Sequence, residues 1–191
     1  MKNILILLCV TFFQSQSSNA QSQFELEGVV VPRTLDINGS SLKLSGFGVR
    51  SKMWVDVYVQ ALYLTIITQE AKEIIEGNTE MAIRIQITSN MVSSNKFSKS
   101  VNNGLEKSAG KDLESLRPKI DLLISMLKDE IVKDDVFNMV YNPKDSSMWI
   151  YKNDKLKGKV QGMDFKKAFF GIWLSEKPVD QELKNNLLGK Y

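Results

Sequence analysis

The chain has 191 residues, 43% of them hydrophobic, and its 25 basic residues face 22 acidic ones for a net charge of +3. That length supports one domain with a substantial core, and the near balance of charge leaves no footprint for nucleic acid. With no histidine and Cys9 as the only cysteine, the sequence lacks the commonest general base, the commonest metal ligand and any Ser-His or Cys-His arrangement, so neither a metal nor a cofactor is expected.

Met1 to Ala20 reads as a secretory signal peptide. Lys2 precedes the apolar run from Ile4 to Phe13, and Ser18-Asn19-Ala20 is a small-x-small cleavage pattern. Cleavage after Ala20 would leave residues 21–191 as a single cysteine-free domain, periplasmic or secreted, with no integral membrane segment. Cys9 is a poor lipidation site, because bulky Leu8 precedes it and the apolar run continues past it.

Phe24 to Val31 alternates and ends at Pro32, which predicts a strand. Strands over 34–37 and 41–44 flank Asn38-Gly39, a hairpin dipeptide. A long strand follows over about 52–65, then a short helix over 70–76 ended by Gly77, then a strand over 81–88. Ser93 or Ser94 can cap a helix running to about Ser108, stopped by Ala109-Gly110. A second helix covers about 116–128 with Pro118 in its first turn and Ile120, Leu123, Ile124 and Leu127 on one face. Strands are expected over 136–141, 148–152 and 155–161, and helices over about 164–174 and 179–188, separated by Pro178. This order of strands and helices argues for an α+β fold, an antiparallel sheet with helices on one face.

Residues 46–64 carry the most chemical information. Val55, Val57, Val59 and Ala61 alternate with Trp54, Asp56, Tyr58 and Gln60, so one strand face is apolar and the other mixed. Arg50 lies just before this strand, behind Gly46 and Gly48, which permit close backbone approach. Arg50 can meet a ligand or form a structural ion pair with Asp56. Tyr58 and Tyr63 fall on opposite faces, so only one can face a cleft. Tyr58 shares its face with Trp54 and Gln60, the mixed lining a pocket needs, although it can equally be a core tyrosine with its hydroxyl at the edge. Phe97, Val101 and Leu105, four apart, are core or pocket wall, while Phe165, Phe169, Ile172 and Trp173 read as helix-to-sheet packing. Lys152, Lys155, Lys157 and Lys159 read as a solvated edge that blocks strand pairing, and Asp134-Asp135 as a turn.

"GFGVR" followed by "VYVQALYL", together with "LLISMLKDEIVKDD" and "DFKKAFFGIWLSEKPVDQELKNNLLG", resembles the chalcone isomerase family, the last stretch its secreted bacterial branch. The resemblance implies an open-faced β-sandwich, a large antiparallel sheet covered on one face by a helical layer, with a ligand cleft between them. The family holds isomerases that close a chalcone to a flavanone, fatty-acid binders and non-catalytic helpers. By that resemblance Arg50 is the arginine that meets the anionic oxygen of the substrate in the isomerases and a carboxylate in the fatty-acid binders. Where the isomerases place a threonine on the following strand, this chain has Tyr58, which suits the fatty-acid-binding pattern. The isomerase tyrosine on the next helix aligns with Phe97, and the asparagine beyond it with Gly104, beside Asn103. The phenol that would hold catalytic water is therefore missing.

The expected function is non-catalytic binding of a small apolar anionic ligand such as a fatty acid, with Arg50, Tyr58, Trp54, Gln60, Phe97 and Asn103 around it. One alternative is a chalcone–flavanone isomerase in which Arg50 stabilises charge on an already ionised substrate. Another is a protein–protein adaptor with a vestigial cleft.

Overall fold

A computed structural model describes residues 23–190. The signal-peptide reading, the cleavage site after Ala20 and Cys9 all lie outside the described residues.

Strands β1 (Gln23–Leu26) and β2 (Val29–Pro32) form a hairpin of their own. Seven strands then pair antiparallel in chain order: β3 (Thr34–Ile37), β4 (Ser40–Lys52), β5 (Val55–Leu64), β6 (Met81–Ile87), β7 (Val136–Asn142), β8 (Ser147–Lys152) and β9 (Lys155–Gln161). Helices α1 (Ala71–Glu76), α2 (Ser94–Ala109), α3 (Leu113–Met126), α4 (Met163–Leu174) and α5 (Gln181–Leu187) complete the chain. The protein is α+β, a curled antiparallel sheet with a helical layer, as the sequence implies.

The period-two pattern sorts the sheet's side chains between two cores. From β6, Ile83, Ile85 and Ile87 pack with Phe97, Leu105, Phe165, Phe169 and Trp173 of the helical layer. On the other face, Val59, Ala61, Tyr63, Ala82 and Val140 form a smaller cluster with Val29 and Val31 of β2. The first hairpin therefore covers part of the back of the sheet. Tyr63, fully buried there, donates its hydroxyl to the Pro32 carbonyl at 2.8 Å. It faces away from Tyr58, as expected from their odd spacing.

Three expectations change. The strand expected over Phe24–Val31 is a hairpin, because Glu27 and Gly28 turn the chain with φ of 50° and 72°. Alternation continues through that turn, so periodicity alone misses it. Pro118 lies in the interior of α3, because a 3₁₀ turn over Gly110–Asp112 starts the helix earlier, at Leu113. The strand expected over 52–65 starts only at Val55, because β4 runs unbroken from Ser40 to Lys52 and turns at Met53-Trp54.

At the far edge, Lys157 pairs with Asp129 and Lys159 with Asp145 on β9, the last strand of the sheet. Lys152 instead reaches Asp135 at 2.8 Å, and Asp135 also accepts from the Val132 amide and Asn153. The Asp134-Asp135 pair is thus a turn, with Asp134 at φ 70°.

Candidate functional site

The two glycines before Arg50 decide where the site lies. Gly46, Gly48 and Arg50 pair with Leu62, Gln60 and Tyr58, so all six share the face that carries the helices. A Cβ on Gly46 would stand 2.1 Å from the Asn186 carbonyl oxygen and 2.7 Å from that of Leu187. A Cβ on Gly48 would stand 2.9 Å from the Asn186 Cβ. Bare backbone at these positions lets α5 lie flat on β4. Arg50, next in the row, then emerges at the N-terminus of α5.

There it meets Asp180. One carboxylate oxygen of Asp180 accepts from the Leu183 amide at 3.0 Å and caps α5, while the other accepts from Arg50 Nη1 at 3.0 Å. The acidic partner of Arg50 is therefore Asp180 and not Asp56, which accepts from the Ser51 hydroxyl instead. Nη1 also donates to the Ser51 carbonyl. Among the described residues no hydrogen bond engages Nη2 or Nε, and a guanidinium carries five donors in all. The pair orients Arg50 without exhausting it.

Tyr58 sits directly across the ladder from Arg50. Trp173 Nε1 donates to its oxygen at 3.3 Å, and Phe97 meets its ring edge-on with centroids 6.5 Å apart. Burial pushes the Tyr58 phenol above its ordinary 10.0, against the smaller lowering effects of the Trp173 hydrogen bond and the Arg50 charge. Tyr58 is thus protonated at neutral pH. With its oxygen accepting from Trp173, its own proton is available to a ligand.

These side chains line a cleft of about 620 Å³ between the sheet and helices α2 and α4. Tyr58, Phe97, Val101, Ile172, Trp173 and Val179 supply its apolar surface. Arg50, Lys52, Lys96, Lys99 and Lys107 also line it, and among the described residues no carboxylate does. Gly104 closes α2 onto α4, since a Cβ there would fall 2.8 Å from a methyl of Ile172. The lining suits a ligand that joins apolar surface to a negative group.

Of the six expected residues, Arg50, Tyr58 and Phe97 converge on this cleft and Asn103 stands exposed on its rim. Trp54 does not: it is the second residue of the β4–β5 turn, fully exposed at 101%. Had β5 begun at Lys52, alternation would have placed Trp54 beside Tyr58, so the missed turn caused the error. Gln60 does share the face of Tyr58, but it is 0% exposed, does not line the cleft, and leaves both side-chain polar atoms unpartnered. Sequence reasoning missed Trp173, which both packs and holds Tyr58, and missed Asp180. Asp180 had a readable signal, an N-cap residue shortly after Pro178 and before the apolar Leu183 and Leu187. It also missed the lysines of the rim, which β4 and α2 bring together.

Among the described residues no helix is long and apolar enough to cross a membrane. A search of curated proteins gives no significant match. Among solved structures, the fold is similar to a crystal structure of a fatty-acid binding protein from Arabidopsis thaliana, with a TM-score of 0.66, 21% identity and coverage of 85% of this chain and 92% of that one. The family model described as chalcone isomerase-like matches residues 23–189, nearly all of the described chain, and the protein belongs to that family.

Proposed function

We propose that the cleft binds the anionic head of an apolar acid, such as a fatty acid, without catalysing a reaction on it. The observation that carries this reading is the cleft's lining, five cations and an apolar floor with no carboxylate. Arg50 and the Tyr58 hydroxyl take the carboxylate through charge-assisted and neutral hydrogen bonds, and the apolar wall takes the tail. The likeness of the fold to a fatty-acid binding protein supports the same reading. Phe97, which has no hydroxyl, offers nothing to position water at a reacting carbon, and the Tyr58 phenol is held protonated. The open cleft beside Arg50 argues against an adaptor whose cleft is filled by its own side chains.

Titration of long-chain fatty acids into the wild type, Arg50→Ala and Tyr58→Phe tests the assignment. A hydrogen bond to a charged group contributes roughly 1.5–3 kcal/mol, so Arg50→Ala should weaken binding about tenfold to a hundredfold. Tyr58→Phe removes a neutral donor and should cost about 1 kcal/mol. Unchanged affinity in Arg50→Ala would make the arginine purely a partner for Asp180. In a chalcone absorbance assay corrected for spontaneous cyclisation, the protein should give no acceleration. A large acceleration abolished by Arg50→Ala would establish the isomerase reading in place of this one.

A further inference from the structure

The β4–β5 turn is built against its own local preferences. Met53 and Trp54 are its two central residues, with φ of 50° and 67°. A two-residue hairpin turn with both φ positive favours Asn-Gly or Asp-Gly, and bulky side chains there are strained. Neither residue gains burial in return: Met53 is 83% exposed and Trp54 101%. A strained turn that projects two large apolar side chains into solvent has no reason inside the fold.

The surroundings of the tip indicate what covers it. Thr88 donates its amide to the Val57 carbonyl and its hydroxyl to the Asp56 carbonyl, so the end of β6 and the loop after it stand beside the start of β5. That loop presents Met91, 61% exposed, and Lys96 donates to the Met91 carbonyl at 3.1 Å. Lys52, Met91, Lys96 and Lys99 line the cleft at this end. Asp56 accepts from Ser51, and Asp180 is paired with Arg50. Lys52, next to Met53 in the chain, and Lys96, bonded to the Met91 carbonyl, therefore flank the exposed apolar tips, and Asp56 and Asp134 are carboxylates beside the same strand ends.

We infer that this end of the molecule docks on an anionic lipid bilayer, with Trp54, Met53 and Met91 inserted at the headgroup boundary and Lys52, Lys96 and Lys99 against the lipid phosphates. Tryptophan prefers that boundary, and basic side chains around an apolar anchor bind anionic surfaces. The orientation turns the cleft mouth toward the bilayer, which would let an acyl ligand pass between them without crossing water. Only this last consequence rests on the proposed ligand.

Co-sedimentation of residues 21–191 with phosphatidylcholine vesicles, with and without phosphatidylglycerol, tests the inference. Binding should require phosphatidylglycerol and weaken with salt, by about fivefold for each of Lys96→Gln and Lys99→Gln. The decisive variant is Met53→Asn with Trp54→Gly, which supplies the side chains that the turn favours. It should raise Tm, leave fatty-acid affinity in solution unchanged and lower vesicle affinity by at least about tenfold. Undiminished vesicle binding by this variant overturns the inference, as does a wild type that ignores phosphatidylglycerol vesicles. A wild type that takes fatty acid but no vesicles refutes the docking alone. A wild type that takes vesicles but no fatty acid refutes the ligand alone.

Discussion

Replacing Lys166 by methionine should destabilise the protein by about 3 kcal/mol, although Lys166 touches no part of the cleft. Lys166 is 0% exposed on α4, and its ammonium donates to the carbonyls of Ile74, Ile75 and Gly77 at 2.6, 2.8 and 2.8 Å. These carbonyls close α1, where the helix leaves acceptors without intrahelical donors and the dipole favours a cation. The rings of Tyr141 and Phe170 lie 5.4 and 5.5 Å from the ammonium. Methionine fills similar volume but donates nothing, and each abandoned buried acceptor costs about 1–3 kcal/mol. Relief of the lysine's own desolvation, and water reaching the half-buried Ile75 and Gly77, offset part of that sum. In a thermal melt the expected loss is roughly 6–12 °C. Burial also lowers the Lys166 pKa from 10.5 to about 8. Between those values the unfolded chain holds a proton that the folded chain lacks, so this group's contribution to stability rises with pH across that window. The gap between wild type and Lys166→Met should change accordingly from pH 8 to 10, and a loss below about 1 kcal/mol at neutral pH would contradict the role given to the lysine.

How far the sequence speaks for itself depends on whether a residue's reason is local. The alternation of Ile83, Ile85 and Ile87, the spacing of Ile120, Leu123 and Leu127, and the Asn38-Gly39 and Asn153-Asp154 turns all act within a few residues, and the elements built on them form, although β4 runs on to Lys52 and α3 starts at Leu113. Gly46 and Gly48 look like strand breakers, yet they lie inside a 13-residue strand. Their reason is α5, which arrives about 140 residues later in the chain and needs the bare backbone. Met53-Trp54 carries no turn signal at all, and missing it misplaced Trp54. Lys166 reads as one of two adjacent lysines on a helix, and only tertiary structure separates it from Lys167, which pairs with Glu76. In the site, Arg50 and Tyr58 were legible through family resemblance. Asp180 and the lysines of the rim were not, because their grouping depends on how β4, α2 and α5 converge.

Gly46→Ala should unseat α5, and with it the ligand site. The added methyl would fall 2.1 Å from the Asn186 carbonyl, 2.7 Å from the Leu187 carbonyl and 2.9 Å from the Gly189 nitrogen. All three are backbone atoms, so no side-chain rotation can relieve the overlap, and the helix must lift from the sheet. Lifting it exposes Leu183, Leu187 and Leu188, now between 0% and 2% exposed, each of which gains about 1.5–3 kcal/mol from full burial. Partial lifting and overpacking together should cost about 2–4 kcal/mol. Gly48→Ala is the internal control. Its new methyl would meet the Asn186 side chain at 2.9 and 3.0 Å and the end of Leu183 at 3.1 Å. The Asn186 amide and the Leu183 methyl are side-chain ends that can shift, and only the Asn186 Cβ is fixed to the helix backbone, at 2.9 Å rather than 2.1 Å, so the cost should be smaller, on the order of 1 kcal/mol. The two variants should also separate in ligand affinity. Asp180 orients Arg50 only while it caps α5 in its seated position, so Gly46→Ala should lose most of the fatty-acid affinity and Gly48→Ala little of it. Urea denaturation of both, followed by titration at a temperature where both remain folded, makes the comparison. Equal costs for the two would mean that α5 does not depend on the bare backbone of β4. Full ligand affinity in a destabilised Gly46→Ala would show that Arg50 works without the seated helix.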